Sequence, residues 1–332
     1  MFKIFITKSI YDRINGDNNK KKPLLYRILK WRKDDHIKTL SDAATEDYKS
    51  HPEKMLEHPS SLFVLNITKA EAADFRKDYG VMCVSGENPD VSLLLDINDT
   101  FKPDPDKIKF NGWDAVLDSV EPLPSNALLL ADRYLFSYDS MKYDSDATNI
   151  YRILDELLPI EFKGSEYHVT IAFCVTKIDR KLTFEEIDNQ LNDTIEQLKQ
   201  PHGNKPSRNY DIMLEVLGYT DDCSIYRETH HRRIVSNYFY VQVEQQLTAF
   251  KSDQTGIIKQ NIIPWALFTK SGLAGRSSLP LETVDDAVTL FKQFNKEYTK
   301  KTVRDIRPFF SYSVNGERPK TFFSGLQNRL FK

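Results

Sequence analysis

In the stretch "THHRRIVSNYFYV", residues 229–241, two histidines and two arginines stand in a row before a β-branched and aromatic run. Imidazole suits nucleophilic attack and proton transfer near neutral pH, and guanidinium suits phosphate oxygens, which it holds through paired N–H groups. Four such side chains beside a buried strand need either solvent or an anion. Strand alternation puts His230 and Arg232 on one face and His231 and Arg233 on the other, so one pair at most faces a given pocket. An earlier stretch, "ADRYLFSY" (131–138), echoes "HHRRIVSN" (230–237): Arg133 falls under Arg232, Leu135 under Ile234 in character, and Ser137 under Ser236. The echo suggests a duplicated unit. Beside it stands a plainer reading, in which Asp132 and Arg133 form an ion pair within the strand. His168, at the start of an apolar strand, reads as a hydrogen-bonded core or rim histidine.

The elements that must position these residues alternate between strand and helix. "MFKIFIT" reads as a strand, and a basic helix follows from Lys20 to Lys33. "SSLFVLNITKAEAADFRKDYGVMCVSG" reads as strand, helix, strand, the helix opened by Thr68 with Glu71 three positions on. After a loop-rich stretch over 86–105, "NALLLADRYLFSYD" is expected to form one long strand or two, and "ATNIYRILDELLP" an amphipathic helix stopped by Pro159. "YHVTIAFCVTKI" is a strand, Thr183 and Glu186 open another helix, "YDIMLEVLGY" is a strand, and "HHRRIVSNYFYVQV" is expected to be the next one. Further on come "NIIPWALFT", a last helix over "DDAVTLFKQFNKEYTKK", and a tail in which basic and aromatic residues interleave. The tail's aromatics are expected to dock on the core, while the mixture also suits a nucleic-acid groove.

This alternation, with near-continuous apolar strands, predicts an α/β fold whose mixed or largely parallel sheet is flanked by helices. Two duplicated halves are one arrangement of it. The expected regions are an N-terminal α/β region over 1–120, a core unit carrying the Arg/His strands over 121–255, and a C-terminal helix and tail over 256–332. With 12 glycines and neither GxGxxG nor GxxxxGK[ST], a dinucleotide-binding or P-loop protein is disfavoured.

The paired stretches resemble the motif of the phospholipase D-like superfamily, HxKxxxxD, which occurs once per half of a duplicated chain or once per subunit of a homodimer. His230, Arg232 and Asn237 occupy its three positions, with arginine for lysine and asparagine for aspartate. In the first half Ala131, Arg133 and Tyr138 occupy them, so that histidine is absent. The resemblance implies a metal-independent phosphodiesterase or nuclease. In it His230 attacks phosphorus to give a phosphohistidine, a second imidazole protonates the leaving oxygen, and Arg232 and Arg133 hold the non-bridging oxygens. The second imidazole would come from His231, from His168, or from His230 of another subunit in a homo-oligomer. Asn237 would orient by hydrogen bonding alone, and Arg233 and His231 would add phosphate contacts. A pseudonuclease that kept the phosphate-binding shape is the other outcome, and the resemblance implies a bacterial defence or mobile-element context.

No cofactor and no metal are expected: Cys223 with His230 and His231 offers suitable ligand types but lacks a second cysteine at zinc spacing. The balance of 46 basic against 48 acidic residues means that any nucleic-acid contact must come from a local patch. Three cysteines without CxxC spacing point to a reducing compartment, and no run approaches the ~18 apolar residues of a membrane span. The expectation is a cytoplasmic protein that binds nucleic acid or another phosphodiester. The alternative is a non-catalytic interaction or sensor module recognising a phosphate group or an acidic protein partner.

Overall fold

The computed structural model describes residues 3–16, 25–26, 29, 34–87, 113, 124–137, 146–223, 225–226, 232–243, 247, 262–266, 289–290, 292–293, 296, 309–318 and 326–331. Over these residues the chain is α/β, with two sheets and flanking helices. The first sheet is parallel, in the order β2-β1-β3-β4, from β1 (Lys3–Thr7), β2 (Ile37–Leu40), β3 (Ser61–Leu65) and β4 (Met82–Ser85). Between its strands run α1 (Lys8–Gly16), α2 (Asp42–Ser50) and α3 (Lys69–Tyr79). Every residue of β3 and β4 is buried, as a parallel strand covered on both faces requires.

The second sheet is mixed and has the order β10-β9-β8-β5-β6-β7-β11. Its parallel centre is β5 (Ala127–Ala131), β6 (Glu166–Cys174) and β7 (Asp211–Tyr219). Antiparallel to these are β8 (Arg232–Ser236) on β5 and β11 (Phe309–Val314) on β7, while β9 (Phe239–Val243) and β10 (Ile262–Ala266) extend the β8 edge. Helices α4 (Asp146–Leu157) and α5 (Phe184–Lys199) cover one face through Ile150, Ile153, Leu154, Ile187, Leu191 and Ile195. Burial of each such side chain is worth about 1.5–3 kcal/mol. The opposite face shares a core with the first sheet, in which Ile4, Ile6, Leu62 and Val64 meet Ala127, Leu129, Ala131, Leu217 and Val235.

Local sequence sets the helix starts. Thr68 and Thr183 each accept from the backbone N–H three residues on, at 3.2 Å, while Glu71 and Glu186 accept from the threonine N–H in return. Thr68→Ala and Thr183→Ala are each expected to lower stability by about 1 kcal/mol, read as a lower urea midpoint at unchanged slope. Gly80 ends α3 at φ +59, and a Cβ there would lie 2.0 Å from the carbonyl oxygen of Ser125. The chain entering β5 thus passes directly over this helix end, and Asn126 Nδ2 donates to the Gly80 carbonyl at 2.8 Å.

Two expectations change in detail. "HHRRIVSNYFYVQV" does not form one strand: the chain reverses at Asn237 and Tyr238, and β8 and β9 pair as a hairpin with Val235 opposite Tyr240. "NALLLADRYLFSYD" gives one strand that stops at Ala131, because the Asp132 carboxylate takes the Tyr134 N–H at 2.8 Å and turns the chain. The tail is part of the core: β11 joins the second sheet, and Leu326, Leu330 and Phe331 are buried in the core shared by both sheets. Most of the helix expected over Lys20 to Lys33 lies outside the described residues, with Leu25 and Leu29 buried.

Candidate functional site

The parallel strands β5, β6 and β7 end at Ala131, Cys174 and Tyr219, and antiparallel β8 begins beside the first of these ends, with Arg233 opposite Ala131. Ligand sites of parallel α/β sheets form outside such carboxyl ends. Register brings Asp132, Arg133, Arg232 and Arg233 to this one edge. Alternation along β8 sets Arg232 on the α4/α5 face and Arg233 on the face shared with the first sheet, while Asp132 and Arg133 follow the end of β5 in a turn.

Asp132 is fully buried and works as a hub. Its Oδ1 accepts from the Tyr134 N–H at 2.8 Å and its Oδ2 from the Leu247 N–H at 2.7 Å, and Arg232 Nε stands 3.7 Å from Oδ1. That last separation makes an ion pair without a direct hydrogen bond. Burial pushes the Asp132 carboxyl up from its ordinary range, against the pull of the two backbone N–H groups, Arg232 and Arg133. A carboxyl whose ionised form is penalised in this way is a weak counter-ion. Two guanidiniums, those of Arg232 and Arg133, act on this one carboxyl.

Arg133 is 7% exposed. One of its terminal nitrogens donates to the Tyr226 carbonyl at 2.8 Å, and its guanidinium carbon lies 4.1 Å from the Tyr226 ring centroid. Its Nε is buried and has no hydrogen-bond partner among the described residues. Arg232 also sits on an aromatic ring, 4.9 Å from the centroid of Tyr134, while Arg133 approaches the same ring at 6.0 Å. Tyrosine faces hold guanidiniums by cation–π attraction. The turn carrying Tyr134 continues into Phe136, which has φ +62, a left-handed conformation unusual for a bulky residue. Phe136 is held there by burial, by an edge contact to Phe173 at 5.4 Å, and by its carbonyl accepting from the Asp179 N–H at 2.8 Å. Strain of this kind collects where a site is built.

The remaining expected site residues divide. His230 and His231 lie outside the described residues. Asn237 is placed away from this edge, at the far end of β8, where its side chain is spent on backbone. Its Oδ1 accepts from the N–H groups of Asn126 at 3.0 Å and Ala127 at 3.1 Å, and its Nδ2 donates to the Pro59 carbonyl at 2.8 Å. His168 belongs to the amino end of β6, opposite Ala127, and its Nδ1 accepts from the Arg329 N–H at 3.0 Å. The echoing stretches also differ in position, since Arg133 follows the end of β5 and Arg232 opens β8. They meet as neighbours along one sheet edge, which gives no support to duplicated halves.

Sequence reasoning passed over Tyr134 and Tyr226. The usable signal was an aromatic residue next to Arg133 and another just ahead of the 229–241 stretch, since buried guanidiniums commonly rest on tyrosine. Lys177, just past the end of β6, stands 3.9 Å from Asp221 and adds a half-exposed cation near these carboxyl ends. Among the described residues no helix is long and apolar enough to cross a membrane. No family model matches the chain, and no curated protein or solved structure matches it either.

Proposed function

We propose that the carboxyl edge of the second sheet recognises a phosphodiester, with the backbone of a nucleic-acid strand as the ligand class, through Arg133 and Arg232. The observation that carries this reading is Arg133 itself: a guanidinium 7% exposed, stacked on Tyr226, with a buried Nε that no described group satisfies. A buried donor left unpaired costs about 1–3 kcal/mol, which a phosphate oxygen at the site would recover. Asp132 fits the role of a resident counter-ion that a stronger anion displaces from Arg232.

Recognition without turnover is the form best supported, because Asn237 Oδ1 is committed to two backbone N–H groups, leaving no acceptor to orient an imidazole N–H. Hydrolysis is the second reading, favoured by the sequence position of His230 two residues before Arg232. It would use His230 as nucleophile, a phosphohistidine intermediate, and a second imidazole from His231 or from another subunit's copy of His230. His168 is unsuited to that part, being held by Arg329 at the opposite end of the strand.

The direct test is fluorescence anisotropy of labelled single- and double-stranded oligonucleotides, with EDTA present and product length read in parallel. Arg133→Gln is expected to weaken binding roughly tenfold to a hundredfold, as loss of a charge-assisted phosphate contact does. Thermal melting of the variant controls for folding. Equal affinity in wild type and variant would remove Arg133 from recognition, and metal-independent cutting abolished by His230→Ala would replace the binding reading with the hydrolytic one.

A further inference from the structure

At the other end of the second sheet a buried polar network holds the segment 326–331 against β5, β6 and β7. Glu215, fully buried on β7, accepts from the Thr170 hydroxyl at 3.1 Å, the Asn328 N–H at 3.1 Å and the Gln327 N–H. Asn328 Nδ2 donates to Thr170 Oγ1 at 2.8 Å and to the Leu128 carbonyl at 3.0 Å. One residue on, the Arg329 N–H donates to Nδ1 of His168, which is 5% exposed.

This last bond fixes the state of the imidazole. A ring nitrogen that accepts from an N–H carries no proton, and both ring nitrogens face donors of Arg329, so docking requires neutral His168. Nε2 faces Glu166 Oε2 at 3.4 Å and the Arg329 guanidinium at 3.2 Å. We propose that His168 is a proton-operated latch: the neutral ring holds the C-terminal segment on the sheet, and protonation releases it.

Protonation would turn Nδ1 into a donor pointing at the Arg329 N–H, so the hydrogen bond becomes a donor-to-donor contact. It would also place a second cation beside the Arg329 guanidinium, which burial already pulls down to about 10. Among the described residues the charged and titratable groups on the elements packed at the ring include Glu166 on β6, Arg329 on the docked segment, Glu215 on β7 and Tyr312 on β11, while the facing residue of β5 is Ala127. The Glu166 carboxylate in reach of Nε2 has a side chain 42% exposed, so solvent screens much of its attraction. Docking therefore excludes a proton that the released ring accepts. By linkage it is complete above the range of a free histidine, about 6.5, and weakens as pH falls through it.

The test is amide exchange by NMR or mass spectrometry on the full chain between pH 8 and 5.5, expressed as protection factors for Asn328, Arg329 and Leu330. In the wild type these are expected to fall by up to about tenfold per pH unit below the histidine range, the limit for one proton taken up on release. His168→Asn puts a non-titrating oxygen near the Nδ1 position and should keep the segment protected at a level independent of pH over the same range. Protection that stays constant in the wild type, or that falls equally in His168→Asn, overturns the latch. Should that variant fail to fold, the wild-type Arg329 amide shift decides: it must titrate together with the His168 ring signals, and separate midpoints reject the proposal.

Discussion

Asn237→Ala is expected to destabilise the protein by about 3–5 kcal/mol, the largest single effect of any of the expected site residues. The substitution strips the acceptor from two buried N–H groups, those of Asn126 and Ala127, and the donor from the buried Pro59 carbonyl. Each orphaned backbone group costs about 1–3 kcal/mol. The same side chain also joins three distant parts of the chain: the run into β3, the start of β5 and the β8–β9 hairpin. Next to it, Tyr238 Oη donates to the Ser61 carbonyl at 2.7 Å and repeats the tie between the two sheets. Equilibrium urea unfolding gives the number directly. Asn237→Asp should not rescue: it keeps both acceptors but sets a buried carboxylate oxygen against the Pro59 carbonyl 2.8 Å away. A variant at 237 that unfolds like wild type would show that the amide has no structural task.

Glu215→Ala carries the second large effect, about 3–5 kcal/mol, because it leaves the Gln327 and Asn328 N–H groups and the Thr170 hydroxyl without their shared acceptor. The loss should vanish in a chain lacking residues 326–332. There the carboxylate has no segment to hold and is uncovered to water, so Glu215→Ala should change stability by no more than about 0.5 kcal/mol. A double-mutant cycle between the substitution and the truncation measures this coupling. Additive losses would mean that Glu215 acts within β7 and is not the anchor of the segment.

What the sequence made legible was what is local. The units β3–α3–β4 and α5 followed from apolar runs and two threonine–glutamate capping boxes whose partners lie three residues apart. The arginines could be chosen because charge beside an apolar strand is conspicuous. The hairpin at Asn237 and Tyr238 was hidden by its lack of glycine, so that "IVSNYFYV" reads as one strand. The early end of β5 depended on an Asp132 carboxylate whose second oxygen is satisfied by Leu247, far along the chain. Asn237 resembled a motif letter because its true partners, Pro59, Asn126 and Ala127, are set by tertiary packing. Glu215 offered a signal that went unused, a charged residue in the middle of the apolar "YDIMLEVLGY". Such a residue must find hydrogen-bond partners, though nothing local names Gln327 and Asn328 as the ones it finds.

The central claim is that Arg133 and Arg232 meet phosphate, and the salt dependence of oligonucleotide affinity tests it most directly. Each phosphate neutralised on a single strand contributes about 0.7 to the slope of log K against log salt. The double variant Arg133→Gln, Arg232→Gln, confirmed as folded by its melting curve, should therefore bind with a slope shallower than that of the wild type by about 1.4. An unchanged slope, with affinity altered or not, would mean that neither guanidinium touches the backbone and that their stacking on Tyr226 and Tyr134 serves the fold alone.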